Sequence, residues 1–181
     1  MNDSLTIIGA GPAGMSAALF AARRGTAVTL IEGNPAVGRK LLVTGAGRAN
    51  LTNRNVSAER YTCSDPAWME TVLTRFGYAE LTAFLAQTGI LTYTTPDGWC
   101  YPLSESAQTV VDAFACALDE AGVTLRLDHK VTSIRSTSRG FELSFKTQRS
   151  LWCEQLLVAA GGSAYPDLGS RGQLFPMLQQ L

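Results

Sequence analysis

The sequence holds a single histidine, His129, and its four cysteines, Cys63, Cys100, Cys116 and Cys153, are far apart with no CxxC pair among them. A histidine-rich metal centre, a zinc site and a vicinal redox disulfide are therefore excluded, and no metal is expected. The cysteines read as reduced, partly buried apolar residues. Charge of one sign is missing too, since 15 Lys and Arg balance 15 Asp and Glu. No basic footprint for nucleic acid results, and the expected partner is a small molecule. No run approaches the roughly 20 apolar residues of a membrane span. Residues 1–4 lack a basic start, and the apolar run that follows is broken by Gly9, so no signal peptide is read. These absences point to a cytoplasmic protein away from membranes. What is present is ordinary: 46% hydrophobic and 17% charged residues in a chain of 181, enough to bury a sizeable core.

Residues 5–8 are a short apolar, β-rich run stopped by Gly9, and residues 13–24 follow with apolar positions at helical spacing. Gly25 ends that helix, and residues 27–31 make a second strand that closes on Glu32. Residues 33–64 lack a sustained apolar period and read as an extended loop region with a short helix near 39–43. Pro66 opens a helix to about residue 76, and a second one over 78–88 is ended by Gly89. A hairpin over 91–101 turns at Asp97-Gly98. Ser104 or Ser106 caps a further helix that stops at Gly122. Four short strands follow, over 124–127, 131–136, 141–146 and 151–153, read as a three-stranded meander fed by a returning sheet strand. Residues 155–160 form a buried strand ending in Gly161-Gly162, and residues 173–181 start a helix. The fold class expected is α/β, with a βαβ unit, a helical excursion and the meander.

In Gly9-Ala10-Gly11-Pro12-Ala13-Gly14 the first glycine permits the tight turn out of the strand. The second lets backbone approach a pyrophosphate, and the third lets helix and sheet pack closely. The helix N-terminus, with Pro12 and Ala13, adds free N–H groups and the positive end of the dipole. Glu32 stands 18 residues beyond Gly14 at the end of the second strand, where a carboxylate accepts from ribose hydroxyls, with Gly33 beside it. A dinucleotide-binding unit follows. An acid at position 32 is compatible with NAD and with the adenosine half of FAD, and the βαβ unit does not choose. The meander and the strand ending at Ala160, Gly161 and Gly162 do, because a simple NAD dehydrogenase would continue with alternating strands and helices. FAD is therefore the expected cofactor, in a Rossmann-like FAD-binding fold.

The segment 38–53, GRKLLVTGAGRANLTN, is more specific than a glycine fingerprint. It resembles the signature loop of the BaiN/YhiN-like bacterial flavoproteins, NAD(P)/FAD-dependent oxidoreductases of aminoacetone-oxidase-like type. Two further segments are similar to that family, WCYPLS at 99–104 and GGSAYPDLGS at 161–170. Glycines at 38, 45 and 47 let backbone lie against a flat cofactor, Arg39, Lys40 and Arg48 can neutralise phosphates, and Asn50, Thr52 and Asn53 offer neutral hydrogen bonds. In proteins of this general fold the strand carrying Val131 lies by the adenine. The chain departs from the family at Ala49, where many members have cysteine, so no thiol role transfers. It departs again at Arg171-Gly172-Gln173-Leu174, where many carry a Thr-Gly-Asp-Gly-like run. Family members are about twice as long, which implies an FAD-binding domain over 1–172, a helix truncated within 173–181, and a substrate domain beyond.

The function expected is a flavin-dependent oxidoreductase with NAD(P)H as a candidate reductant, in which the cofactor carries the electrons. The alternatives are a catalytically inactive nucleotide-binding fragment and an NAD-dependent dehydrogenase. No acid or base stands out. His129, Tyr165 and Asp167 qualify by chemistry, but His129 reads as a surface residue at a strand start and Tyr165-Pro166 as packing and turn.

Overall fold

The computed structural model describes residues 4–168 and 171–181. Met1, Asn2 and Asp3, and the Gly169 and Ser170 positions of the third family-like segment, lie outside them. In chain order the elements are β1 (Ser4–Ile8), α1 (Pro12–Ala22), β2 (Ala27–Ile31), β3 (Thr52–Asn53), α2 (Pro66–Arg75), α3 (Tyr78–Gln87), β4 (Thr92–Thr94) and β5 (Trp99–Pro102). There follow α4 (Ala107–Glu120), β6 (Thr124–Arg126), β7 (Val131–Thr137), β8 (Gly140–Phe145), β9 (Leu151–Cys153), β10 (Gln155–Val158) and α5 (Phe175–Leu178). Short 3-10 turns cover Ala58–Arg60 and Pro166–Leu168, and the segment Leu41–Gly47 is 3-10 turn interrupted by a kink at Thr44, Gly45 and Ala46. Two compact units result, one from residues 1–41 and 114–181, the other from residues 42–113.

The first unit is built on a four-stranded sheet in the order β10-β1-β2-β6, all neighbours parallel. Central strands of a parallel sheet are covered on both faces, which is why β1 and β2 carry apolar residues on both sides toward their C-terminal ends. Ile7, Leu30 and Ile31 are fully buried. α1 turns Met15, Ala18 and Leu19 inward at helical spacing. It ends where Thr26 N–H reaches Ala21 O and Gly25 N–H reaches Ala22 O, a Schellman closure that needs the left-handed φ of +86° at Gly25. The antiparallel meander β7-β8-β9 packs on the sheet through Ile8, Ile31, Val131, Ile134, Leu143 and Phe145, with Leu174, Met177 and Leu178 against the same cluster.

Three strand and helix expectations change here. The buried strand read over 155–160 is β10, Gln155–Val158, at the edge of the sheet against β1, and Leu156, Leu157 and Val158 are only half-buried. The last helix is a single turn, Phe175–Leu178, with Pro176 in its first turn, where a missing N–H costs nothing. The helix expected near 39–43 is a 3-10 turn starting at Leu41.

The second unit has an antiparallel sheet in the order β3-β5-β4 with α3 against β4, and α2 against the turn at Ala58–Arg60. The hairpin turns as expected at Asp97-Gly98, where Gly98 takes φ +94° and a side chain would strike Asn53 Oδ1 at 2.7 Å. Tyr78 Oη and Thr94 Oγ1 are 2.5 Å apart, tying α3 to β4. Asp65 caps α2 by accepting from Trp68 N–H at 3.0 Å.

All four cysteines are free. Cys100 and Cys153 are buried, and burial pushes the Cys153 thiol up against the opposing effect of its hydrogen bond with Thr6. Leu143 is the centre of the cluster that joins meander and sheet, and it has no exposed surface. Leu143→Ala should lower stability by about 2–5 kcal/mol, read as a shift in urea midpoint with little change in slope.

Candidate functional site

A cleft of about 240 Å3 opens at the C-terminal ends of β1, β2 and β10 within the first unit. This is where open α/β sheets carry ligands. Its floor is the glycine turn. Gly9 takes φ +105°, and a Cβ there would lie 2.6 Å from Ala159 O. A Cβ at Gly14 would lie 1.8 Å from Gly9 O, so only glycine lets α1 start this close to β1. At Gly11 the result is opposite: a Cβ would meet nothing within 4 Å. The first and third glycines are required by the protein, and the second leaves space for something else.

α1 begins with Gly11 as N-cap and Pro12 in its first turn; no side chain caps it, and no acidic residue stands in the first turn. The N–H groups of Ala13 and Gly14 therefore have no helical or side-chain acceptor, and the end of the dipole is unopposed. Arg39, Lys40, Lys130 and Arg171 line the same cleft, with Glu32 as its only carboxylate among the described residues. That donor set fits a diphosphate.

Glu32 is held firmly. Its Oε2 accepts from Ala10 N–H at 2.9 Å, and its Oε1 accepts from Asn34 N–H at 3.0 Å and from Asn34 Nδ2 at 2.6 Å. Asn34 Oδ1 accepts in turn from Arg39 Nη1 at 2.7 Å. Backbone bonds fix the strand end that carries the acid, from Glu32 N–H to Arg126 O and from His129 N–H to Glu32 O, both 2.9 Å. Ala10 is also bound on its other side, where its carbonyl accepts from Gly38 N–H at 2.9 Å.

Of the residues singled out from sequence, Gly9, Gly11, Glu32, Gly33, Arg39, Lys40, Val131, Ala160 and Gly161 line this cleft. Pro12, Ala13 and Gly14 form the helix start beside it. Gly162 lies next to the cleft, its carbonyl accepting from Gly172 N–H at 3.2 Å. Gly47, Arg48, Asn50 and Thr52 belong to the second unit, where Asn50 and Thr52 line a separate open cleft with Tyr61 and Trp99. Asn50 Oδ1 is buried there without a hydrogen-bond partner. Arg48 lies over the Tyr101 ring at 4.7 Å, and its Nε donates to Gly45 O at 3.4 Å. In that loop Gly45, Ala46, Gly47 and Ala49 all have left-handed φ, a conformation that alanine adopts at a cost of about 1–2 kcal/mol.

Sequence reading missed Asn34, Lys130, Arg171, Gly172 and Gln173, which complete the cleft wall. It also placed His129 at the surface, and this is corrected: the imidazole is half-buried in the wall, edge-on to Phe145 at 5.3 Å, with Nδ1 2.6 Å from Leu127 O. Lys130 and His129 lie just beyond β6, and only its pairing with β2 brings them to the site. Among the described residues no three His, Cys, Asp or Glu side chains gather as metal ligands, and no helix is long and apolar enough to cross a membrane.

A parallel sheet with a glycine turn, a helix starting on that turn and an acid closing the next strand defines a Rossmann-type unit. The chain belongs to the family described as the HI0933-like protein Rossmann domain, which matches residues 3–181. The resemblance read from the three sequence segments is borne out by this match. The chain is 34% identical over 181 residues to the 3-dehydro-bile acid delta(4,6)-reductase of Clostridium scindens, covering 99% of this chain and 44% of that protein. It is 34% identical over 164 residues to the ribosomal RNA dihydrouridine synthase of Escherichia coli, covering 91% of this chain and 40% of that one. The chain thus spans less than half the length of these relatives. Among solved structures, THI4 of Thermovibrio ammonificans superposes with a TM-score of 0.65 at 13% identity, over 98% of this chain and 62% of that one. The 3-ketosteroid-delta4-(5alpha)-dehydrogenase of Rhodococcus jostii gives 0.61 at 14% identity, over 91% and 47%. At those identities the likeness is one of fold.

The three glycines make different demands, and substitution separates them. Gly14→Ala should lower stability by about 3 kcal/mol by driving α1 off β1, whereas Gly11→Ala should cost less than about 1 kcal/mol, the loss of a preferred N-cap. Paired denaturant titrations of the two variants check this.

Proposed function

We propose that the first unit binds the ADP half of FAD and that the protein it belongs to is a flavin-dependent oxidoreductase. The observation that carries this is the opening at Gly11: of the three glycines it alone has no internal reason to lack a side chain, and it faces the uncapped start of α1. Phosphate oxygens placed there would accept from the N–H groups of Ala13 and Gly14, with Arg39 and Lys40 supplying charge. Glu32 keeps one acceptor direction on Oε2 for a ribose hydroxyl. Val131, Ala160 and Gly161 provide the apolar and backbone wall on the far side.

Bound FAD supplies hydride chemistry, and NAD(P)H is the reductant we assign to it. The two curated relatives suggest the substrate class. The name of one specifies double bonds conjugated to an oxidised C3 position, and the product named for the other arises by saturating the ring double bond of uridine. Both are carbon–carbon double bonds activated by a neighbouring carbonyl, and we propose that class for this protein. The balance of 15 basic and 15 acidic residues favours a small molecule as the compound reduced.

Titration of the purified chain with FAD, followed by quenching of flavin fluorescence, should show saturable binding, with NAD bound more weakly. Gly11→Val should abolish the FAD signal while leaving the thermal midpoint near that of the parent. Tight NAD binding with no response to FAD would overturn the flavin reading in favour of a nicotinamide enzyme. The substrate class is checked by anaerobic reoxidation of the reduced holoprotein with a 4,6-dien-3-one steroid and with uridine.

A further inference from the structure

We propose that Asn34 is a positioning residue for nucleotide recognition, which locks the Glu32 carboxylate onto the glycine turn and couples it to Arg39 at the phosphate end of the cleft. This deepens the reading above and rests on it. Asn34 donates from Nδ2 to Glu32 and accepts at Oδ1 from Arg39, so one short side chain bridges an anion and a cation. The amide orientation follows from its neighbours, because the flipped form would set oxygen against the carboxylate and N–H against the guanidinium. Aspartate could accept from Arg39 but could not donate to Glu32. Alanine could do neither.

The network also sets what Glu32 can still accept. Each carboxylate oxygen has about two acceptor directions. Both on Oε1 are taken by Asn34, and one on Oε2 is taken by Ala10 N–H. A single direction remains, on Oε2, and Glu32, Asn34, Arg39 and Ala10 line the cleft together. The backbone of Asn34 is itself pinned, its carbonyl accepting from Asp128 N–H at 3.1 Å. The ligand class this selects is a ribonucleotide with free ribose hydroxyls, the adenine being taken from the reading above. Asn34 contributes by holding the acceptor still, and touches the ribose nowhere in this scheme.

The test is calorimetric titration of the full 181-residue chain with ADP and with 2′,3′-dideoxy-ADP. The parent should prefer ADP. Asn34→Ala should weaken ADP by about tenfold, the equivalent of freeing one glutamate side chain, and dideoxy-ADP by much less, through Arg39 alone, so that the preference collapses. Asn34→Asp should collapse it as well, and serves if the alanine variant folds poorly. In a Glu32→Ala background, Asn34→Ala should have no further effect on ADP. Equal weakening of both ligands by either Asn34 variant, or additive losses in the double variant, would give Asn34 a merely structural role and overturn the proposal. Retained preference in both Asn34 variants would overturn it while leaving the nucleotide reading intact. Failure of the parent to bind ADP at all would overturn both.

Discussion

The close crossing of α1 over the end of β1 is the constraint on which the first unit depends. Gly14 lies where any side chain would enter the carbonyl of Gly9, and Gly9 lies where any side chain would enter the carbonyl of Ala159. Three elements, β1, α1 and the segment after β10, therefore meet through backbone alone. Backbone contact of this kind leaves no adjustable side chain to absorb an error, so the position of α1 is closely set. From that position follow the direction of the Ala13 and Gly14 N–H groups and the place of Ala10, whose N–H meets Glu32 and whose carbonyl meets Gly38. The phosphate end and the ribose end of the cleft are thus parts of one rigid turn. A helix displaced outward by a methyl group would disturb both together.

Much of this was legible in sequence because it is local. The strand, glycine turn, helix and second strand occupy consecutive residues, and each has its own signal in β-branched runs, helical spacing or a glycine stop. The hairpin at Asp97-Gly98, the helix opened by Pro66 and the meander were readable for the same reason. β3 was not, since Thr52 and Asn53 are a strand only through pairing with Cys100 and Trp99, nearly fifty residues away. The edge position of β10 was hidden for a similar reason: an apolar run reads the same whether one neighbour pairs with it or two. The cleft wall divides along this line as well. Gly9, Gly11 and Glu32 could be read from spacing, but Lys130 and His129 reach the site only because β6 pairs with β2. Asn34 carried no signal at all, because an asparagine two residues beyond a strand is ordinary turn chemistry until its partners are seen.

The geometry around Glu32 also bears on how a cleft can be both stable and ready. A buried or half-buried carboxylate without partners destabilises a fold, and one that is free to rotate must be ordered when ligand arrives. Here three N–H donors satisfy it before any ligand is present, so neither cost falls on the binding step. Fixing a long side chain such as glutamate costs up to about 1.5–2 kcal/mol, and each 1.4 kcal/mol is a factor of ten in affinity. That cost is met in folding, by the same strand pairing that builds the sheet. The one acceptor direction left over then gains a ribose hydroxyl without surrendering an existing bond. Removing the hydroxyl forfeits that one bond and leaves the acid as well bonded as before, whereas removing the organisation leaves the hydroxyl without a fixed partner.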